Sequence, residues 1–127
     1  YLPFSIATIP ELKNTKSLTQ EQQKEKEGEL ILKQLSPTDF VVLLDEHGKM
    51  FRSVEFAKWI EQKQHHTKNL IFVVGGPYGF SQDVYNRAND KISLSAMTFS
   101  HQMIRVLFTE QIYRACTIIK GEPYHHE

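Results

Sequence analysis

Apolar residues along this chain fall into short blocks whose internal spacing changes from one block to the next. Residues 40–44 (FVVLL) and 70–74 (LIFVV) are continuous apolar runs, the mark of strands covered on both faces. Residues 92–94 (ISL) make a third, briefer run, and residues 4–9 (FSIATI) alternate apolar with small or polar positions, predicting a strand ended by Pro10. Between these runs the period changes to that of helices. Thr19 caps a predicted helix reaching about Leu35, charged in its first half and apolar in its last turns. Gly28 inside that helix should cost about 1 kcal/mol relative to Ala, so its presence predicts a close backbone approach. Ser53 is the expected cap of a second helix with Val54, Phe56, Ala57 and Ile60 on one face. Ser81 opens a short helix to about Ala88, and a last helix runs from about His101 to Ile119. The polar stretch 12–18 reads as a loop and residues 45–49 as a turn after the strand at 40–44. Strands alternating with helices predict a single α/β domain, a parallel sheet joined by right-handed crossovers with helices on both faces. The length of 127 residues suits one core, with no repeat and no dividing linker.

The last helix departs from the usual amphipathic pattern. Met103, Ile104, Val106, Leu107, Phe108, Ile112, Tyr113, Ala115, Cys116, Ile118 and Ile119 occupy most of its circumference, which implies burial on all sides. A domain this small does not cover such a helix alone, so a homodimer is expected, with Val106, Phe108, Ile112 and Tyr113 wholly or partly across the two-fold axis. Glu110 and Arg114 are spaced for a structural ion pair. His101 and Arg105 share another face near the helix start and could meet a phosphate.

In an open parallel sheet, ligands bind beyond the carboxyl ends of the strands. Three such ends stand out: Leu44 with Asp45, Gly75 with Gly76, and the charge-free loop of Leu94, Ser95, Ala96, Met97, Thr98 and Phe99. The two glycines keep side chains out of a ligand's path. The loop offers backbone polar groups, two hydroxyls and apolar walls, a lining suited to an adenine ring and a thioether. No GxGxxG follows the first apolar run, and no GxxxxGK[ST] occurs, which weakens dinucleotide and triphosphate readings. Asp45 and Glu46 read as a solvated turn, and KEKEGE (24–29) as a salt-laced helix face.

The stretch from Leu94 to the end, with KEKEGE, LLDEHGK (43–49) and FVVGGPYGF (72–80), closely resembles the ribosomal large-subunit methyltransferase H branch of the SPOUT methyltransferases. The resemblance extends over nearly the whole chain. It implies an α/β-knot fold with a C-terminal trefoil knot, and S-adenosylmethionine held by the knotted loop, with Leu44, Gly75 and Gly76 at the cofactor. It also implies a homodimer with sites at its interface, and N3 methylation of a pseudouridine in large-subunit rRNA of the assembled ribosome. The matching Pro-Tyr-His tail lies near the reaction, which makes Tyr124 and His125 catalytic candidates beside His101, and His126 and Arg105 substrate contacts. Ser100 stands where the family commonly has Pro, and His126 where it commonly has Lys or Arg. Family members also carry a strand and helix ahead of Tyr1, so an N-terminally truncated chain is expected.

Composition adds little. Lys and Arg total 15 against 15 Asp and Glu, a formal charge of zero, so no nucleic-acid signal comes from charge alone. The single cysteine excludes an intrachain disulfide and fits a reducing, cytoplasmic setting; Cys116 reads as a small buried hydrophobe. No apolar run reaches the length of a membrane span. No metal is expected, because His65 and His66 are adjacent and neither HExxH nor a Cys cluster occurs. Two rivals remain open: a Rossmann-like oxidoreductase using the glycine turn, and a dimeric RNA-binding module without catalysis.

Overall fold

The structure, a computed structural model, describes the backbone of residues 4–7 and all of residues 17–67, 69–75 and 78–126. Eight elements follow in the order expected: β1 (Phe4–Ala7), α1 (Gln20–Gln34), β2 (Asp39–Met50), α2 (Ser53–His66), β3 (Asn69–Val74), α3 (Gln82–Arg87), β4 (Asp90–Ser93) and α4 (His101–Lys120). The four strands form one parallel sheet in the order β1-β3-β2-β4. Thr8 and Ile9 of the first expected strand, and most of the expected loop after it, lie outside the described residues.

Period-two alternation sends neighbouring residues of one apolar run to opposite faces. Val42, Leu70 and Phe72 join Phe56, Ala57 and Ile60 of α2 and Phe108, Ile112 and Ala115 of α4 in one core. Val41, Leu43 and Val73 join Ile31 of α1 and Phe80 and Val84 near α3 in the other. The first core is aromatic, with the rings of Phe72 and Phe108 centred 4.9 Å apart. Burying a Phe side chain of this kind contributes roughly 1.5–3 kcal/mol. Phe108 and Ile112 are therefore committed to the chain's own core, which corrects their expected place across a two-fold axis. Val106 and Tyr113 remain exposed, as do Met103 and Leu107, so the helix is apolar all round yet buried within this chain on one side only.

Local signals account for most helix starts. Thr19 accepts from the Gln22 N–H at 3.1 Å while Gln22 Oε1 accepts from the Thr19 N–H at 3.0 Å, a complete capping box. Ser81 caps α3 by accepting from Val84 N–H. The expected cap at Ser53 is corrected. Arg52 is the N-cap position, Glu55 accepts its N–H at 2.9 Å, and the Ser53 hydroxyl donates instead to Gln111 Oε1 at 3.0 Å. A tertiary partner on α4 has claimed the side chain that local pattern assigned to the cap.

Gly28 makes the close approach foreseen for it. A Cβ there would collide with the Ser81 side chain and come within 3.2 Å of Val84, so α1 and α3 meet where only hydrogen fits. Lys24 pairs with Glu21 at 2.7 Å, as a salt-laced face would have it, but Glu27 beside Gly28 is buried and departs from that reading.

The expected turn at 45–49 is corrected as well. Strand β2 continues to Met50, and its ladder with β4 breaks so that Leu44 and Lys49 both pair with Ile92. Residues 45–48 bulge out between them. The return depends on Gly48, where a Cβ would lie 2.6 Å from backbone atoms of Lys91 and Ile92. Bulges of this kind re-aim side chains beside binding sites.

Candidate active site

The carboxyl ends of β2, β3 and β4 open onto one cavity of about 710 Å³. Of the cofactor candidates, Leu44, Gly75, Leu94, Ser95, Met97, Thr98 and Phe99 line it, as does His101. Ala96 and Arg105 are not among the lining residues, and Gly76 lies outside the described residues. Ala96 is the loop position whose neighbours take the contacts, and Arg105 lies one helical turn past His101 with its Nε buried and without a hydrogen-bond partner among the described residues.

The loop holds its shape through its own serines. Ser93 Oγ donates to the Ser95 carbonyl at 2.8 Å, and Met97 N–H donates to Ser95 Oγ at 2.9 Å. At its end Ser100 caps α4, accepting from the Met103 N–H at 3.2 Å. Ser100 thus supplies a side-chain cap that a Pro at this position could not.

Two features sort the ligands this cavity can take. First, a Cβ on Gly75 would come within 3.0 Å of the Phe80 ring, so the glycine lets Phe80 pack closely where both residues line the cavity. Second, the described lining includes Asp45, Glu46, His47 and His101 but no Lys or Arg. A phosphate-bearing dinucleotide would meet carboxylates without a permanent cation. A nucleoside carrying positive rather than negative charge meets complementary walls.

The sequence places Asp45 in a solvated turn, and the structure corrects this. Its side chain is only 5% exposed. Burial pushes its carboxyl up, but the Tyr85 hydroxyl and the His47 N–H donate to it, and the balance holds it below the usual carboxylate range. The same pairing, after burial itself, pushes the Tyr85 hydroxyl well up. No local pattern announces this contact, because the partners are forty residues apart; the isolated Gly48, shortly after the apolar run at 40–44, was the available hint of a bulge.

A second cavity of about 570 Å³ backs onto the first and shares Ser93, Leu94, Ser95 and Phe99 as its wall. Its far side carries Arg52, Gln111, His125 and His126. The tail reaches it because Gly121 adopts a left-handed conformation, φ 72°, at the end of α4. The Glu122 N–H then donates to the Thr117 carbonyl at 2.9 Å, and the chain doubles back. Arg114 gathers the tail. It holds Glu110 at 2.7 Å, donates from Nη1 to His125 Nδ1 at 3.0 Å, and lies 4.9 Å over the Tyr124 ring. Tyr124 in turn meets Tyr113 edge to face at 4.9 Å, and is not among the residues lining either cavity. Because a guanidinium only donates, Nδ1 of His125 is the acceptor and the ring proton sits on Nε2.

With this geometry in view, the comparisons with known proteins are direct. A family model described as "Predicted SPOUT methyltransferase" matches residues 1–125. This chain belongs to the SPOUT methyltransferase family. Proteins named ribosomal RNA large subunit methyltransferase H are similar throughout: one from Bacteroides fragilis is 68% identical over 128 aligned residues, covering 100% of this chain and 82% of the relative. One from Phocaeicola vulgatus is 66% identical with the same coverage, and one from Flavobacterium johnsoniae is 56% identical, again over 100% of this chain and 82% of the relative. The expected family and α/β class are borne out, and the oxidoreductase rival loses its basis. No helix among the described residues is long and apolar enough to cross a membrane. None of their His, Cys, Asp and Glu side chains form a group of three or more that could hold a metal ion.

Proposed function

We propose that this SPOUT methyltransferase acts on large-subunit ribosomal RNA with S-adenosylmethionine as methyl source, at N3 of a pseudouridine in the assembled ribosome and so in the cytoplasm. The observation that carries the cofactor reading is the cavity at three strand ends, acidic in its charged groups and without Lys or Arg among its described lining. The names of the relatives support the RNA substrate. When bound, the cofactor supplies an electrophilic methyl group on a sulfonium. The chain's own work is to align the acceptor nitrogen at about 3–3.5 Å from that carbon and to receive the imino proton. His101 on the cavity wall is the candidate proton acceptor. His125, accepting from Arg114 through Nδ1, is held on the wall of the neighbouring cavity as a candidate substrate contact. Tyr124 braces Arg114, and His126 and Arg52 face the neighbouring cavity where the RNA backbone would pass.

A homodimer belongs to the same reading. Met103, Val106 and Tyr113 leave half or more of their surface exposed on α4 (50%, 65% and 54%), and an apolar stripe of this kind marks an interface.

Calorimetry with S-adenosylmethionine and with NAD, followed by methyl transfer to ribosomes that lack the modification and mass spectrometry of their nucleosides, tests the proposal. Binding of the first compound alone and a single new methylpseudouridine are expected. Binding of NAD, or of neither, would falsify the cofactor assignment; cofactor binding without any methylated nucleoside would leave a non-catalytic binding module. Light scattering should find a dimer that Val106→Glu converts to monomer.

A further inference from the structure

Resting on the cofactor reading above, we propose that Asp45 is a cofactor-binding residue that accepts a hydrogen bond from the ribose hydroxyls of the nucleoside, and that Tyr85 positions it. Asp45 stands directly beyond Leu44 at the carboxyl end of the β2 ladder, where the bulge lifts it out of register with β4. It lines the main cavity and also the smaller one on its other side, bounded by Gln82, Asn89 and Lys91. A carboxylate this buried needs partners to remain ionised. Those described are two: the Tyr85 hydroxyl donates to Oδ2, and His47 donates to Oδ1 from its N–H at 2.9 Å and approaches it with Nδ1 at 3.1 Å.

An ionised carboxylate offers about four lone-pair directions. Among the described contacts Oδ1 receives both from His47 and Oδ2 the Tyr85 hydroxyl, so Oδ2 keeps acceptor capacity on a residue that lines the cavity. The neighbouring acid differs. Glu46 is exposed, and its described contact is a long 3.5 Å approach from the Thr98 hydroxyl. Only Asp45 is both desolvated and fixed in direction, the two conditions under which a hydrogen bond to a charged acceptor discriminates. A fixed acid at the end of a parallel strand is the geometry that reads a ribose diol. Tyr85 completes the arrangement, since its ring packs edge-on against Phe80, with centroids 5.8 Å apart, and Lys91 Nζ lies 5.6 Å from its centroid. These two contacts to its ring hold the hydroxyl in place.

Calorimetry on the full chain tests this with four ligands: S-adenosylmethionine, S-adenosylhomocysteine, and the 2′-deoxy and 3′-deoxy ribose forms of the latter. Asp45→Asn is expected to weaken both ribose-bearing ligands roughly 10–100-fold while losing much less on at least one deoxy form. Tyr85→Phe should weaken them by a smaller factor, with the double variant no worse than Asp45→Asn alone. Equal losses on ribo and deoxy ligands, or parental affinity in Asp45→Asn, overturn the assignment. A loss confined to the sulfonium ligand overturns it in favour of a charge contact. Should Asp45→Asn fail to fold, the ribose dependence of Tyr85→Phe decides alone, and an unaltered dependence overturns the proposal. If the unmodified protein binds none of the four, the cofactor reading itself fails, a distinct outcome.

Discussion

Two cavities share one wall, and their chemistry is opposite. On the cofactor side of Ser93, Leu94, Ser95 and Phe99 the lining holds the carboxylates Asp45 and Glu46 with two histidines; on the tail side it holds Arg52, His125 and His126, with no carboxylate among the described lining. The cofactor side is made by strand ends, and its shape depends on positions where a side chain is missing, Gly48 and Gly75. The tail side is made by a helix and a doubled-back terminus gathered around Arg114. The difference suggests a division of labour for the proposed reaction. A rigid, acidic cleft suits a cationic small molecule. A terminus-lined cavity with Arg52 and no carboxylate among its described lining suits the polyanionic substrate, whose phosphates attract Lys and Arg.

Deleting Tyr124 to Glu127 should break the comparison most sharply. Methyl transfer to ribosomes should fall by about 100-fold or more, as expected when a reacting group loses its alignment, while calorimetric affinity for the cofactor stays within about twofold. Arg114 loses His125 and Tyr124 in that variant, so a lowered melting temperature is also expected. Transfer at the parental rate would mean the tail side has no part in the reaction.

Gly75→Val attacks the other side. The new side chain meets the Phe80 ring, and overpacking should cost about 1–3 kcal/mol of stability; displacing Phe80 from the cavity lining should also weaken cofactor binding, with the oligomeric state unchanged in light scattering. Unaltered affinity would place the cofactor elsewhere.

Ser100→Ala touches the rim of the cofactor cavity through helix α4. Loss of the cap should cost about 1 kcal/mol in a urea titration, with a smaller effect on binding. Ser100→Gly should recover most of that stability.

The smallest effect concerns the wall behind the cofactor cavity. Burial pushes the Glu27 carboxyl up, against the pull of Gln23 and of His101. A carboxyl with a raised folded pKa binds its proton more tightly when folded. Stability is therefore highest below its unfolded pKa of about 4.3 and declines as pH rises toward the folded value. Glu27→Gln should remove that decline and leave the variant more stable than the parent protein at pH 7. Denaturant titrations of both proteins at pH 4 and pH 7 measure the difference; a steeper decline in the variant would contradict it.

Much of the scaffold was legible in the order of residues. The apolar runs at 40–44 and 70–74 carry their two-faced burial in composition, and Thr19 and Ser81 announce caps through contacts three residues long. Such signals survive in sequence because both partners lie within one turn or one strand. The candidate loop at 94–100 was legible too, since a stretch without charge, set between a buried strand and an apolar helix, is unlike a solvated surface connection. The resemblance to a known family, rather than periodicity, pointed to the cofactor and the tail.

Residue order alone determined the strands, the helices, the sheet's two-sided burial and the glycine at the α1–α3 contact. Only the tertiary structure decided that Asp45 is a buried acceptor for Tyr85, that Ser53 serves Gln111 instead of its own helix, and that Phe108 and Ile112 belong to this chain's core. It also decided that the terminus closes onto Arg114 to form a second cavity. Each of these rests on which distant side chains the sheet order brings together. A hydrogen bond or an apolar contact depends on separation in space, which local periodicity does not encode.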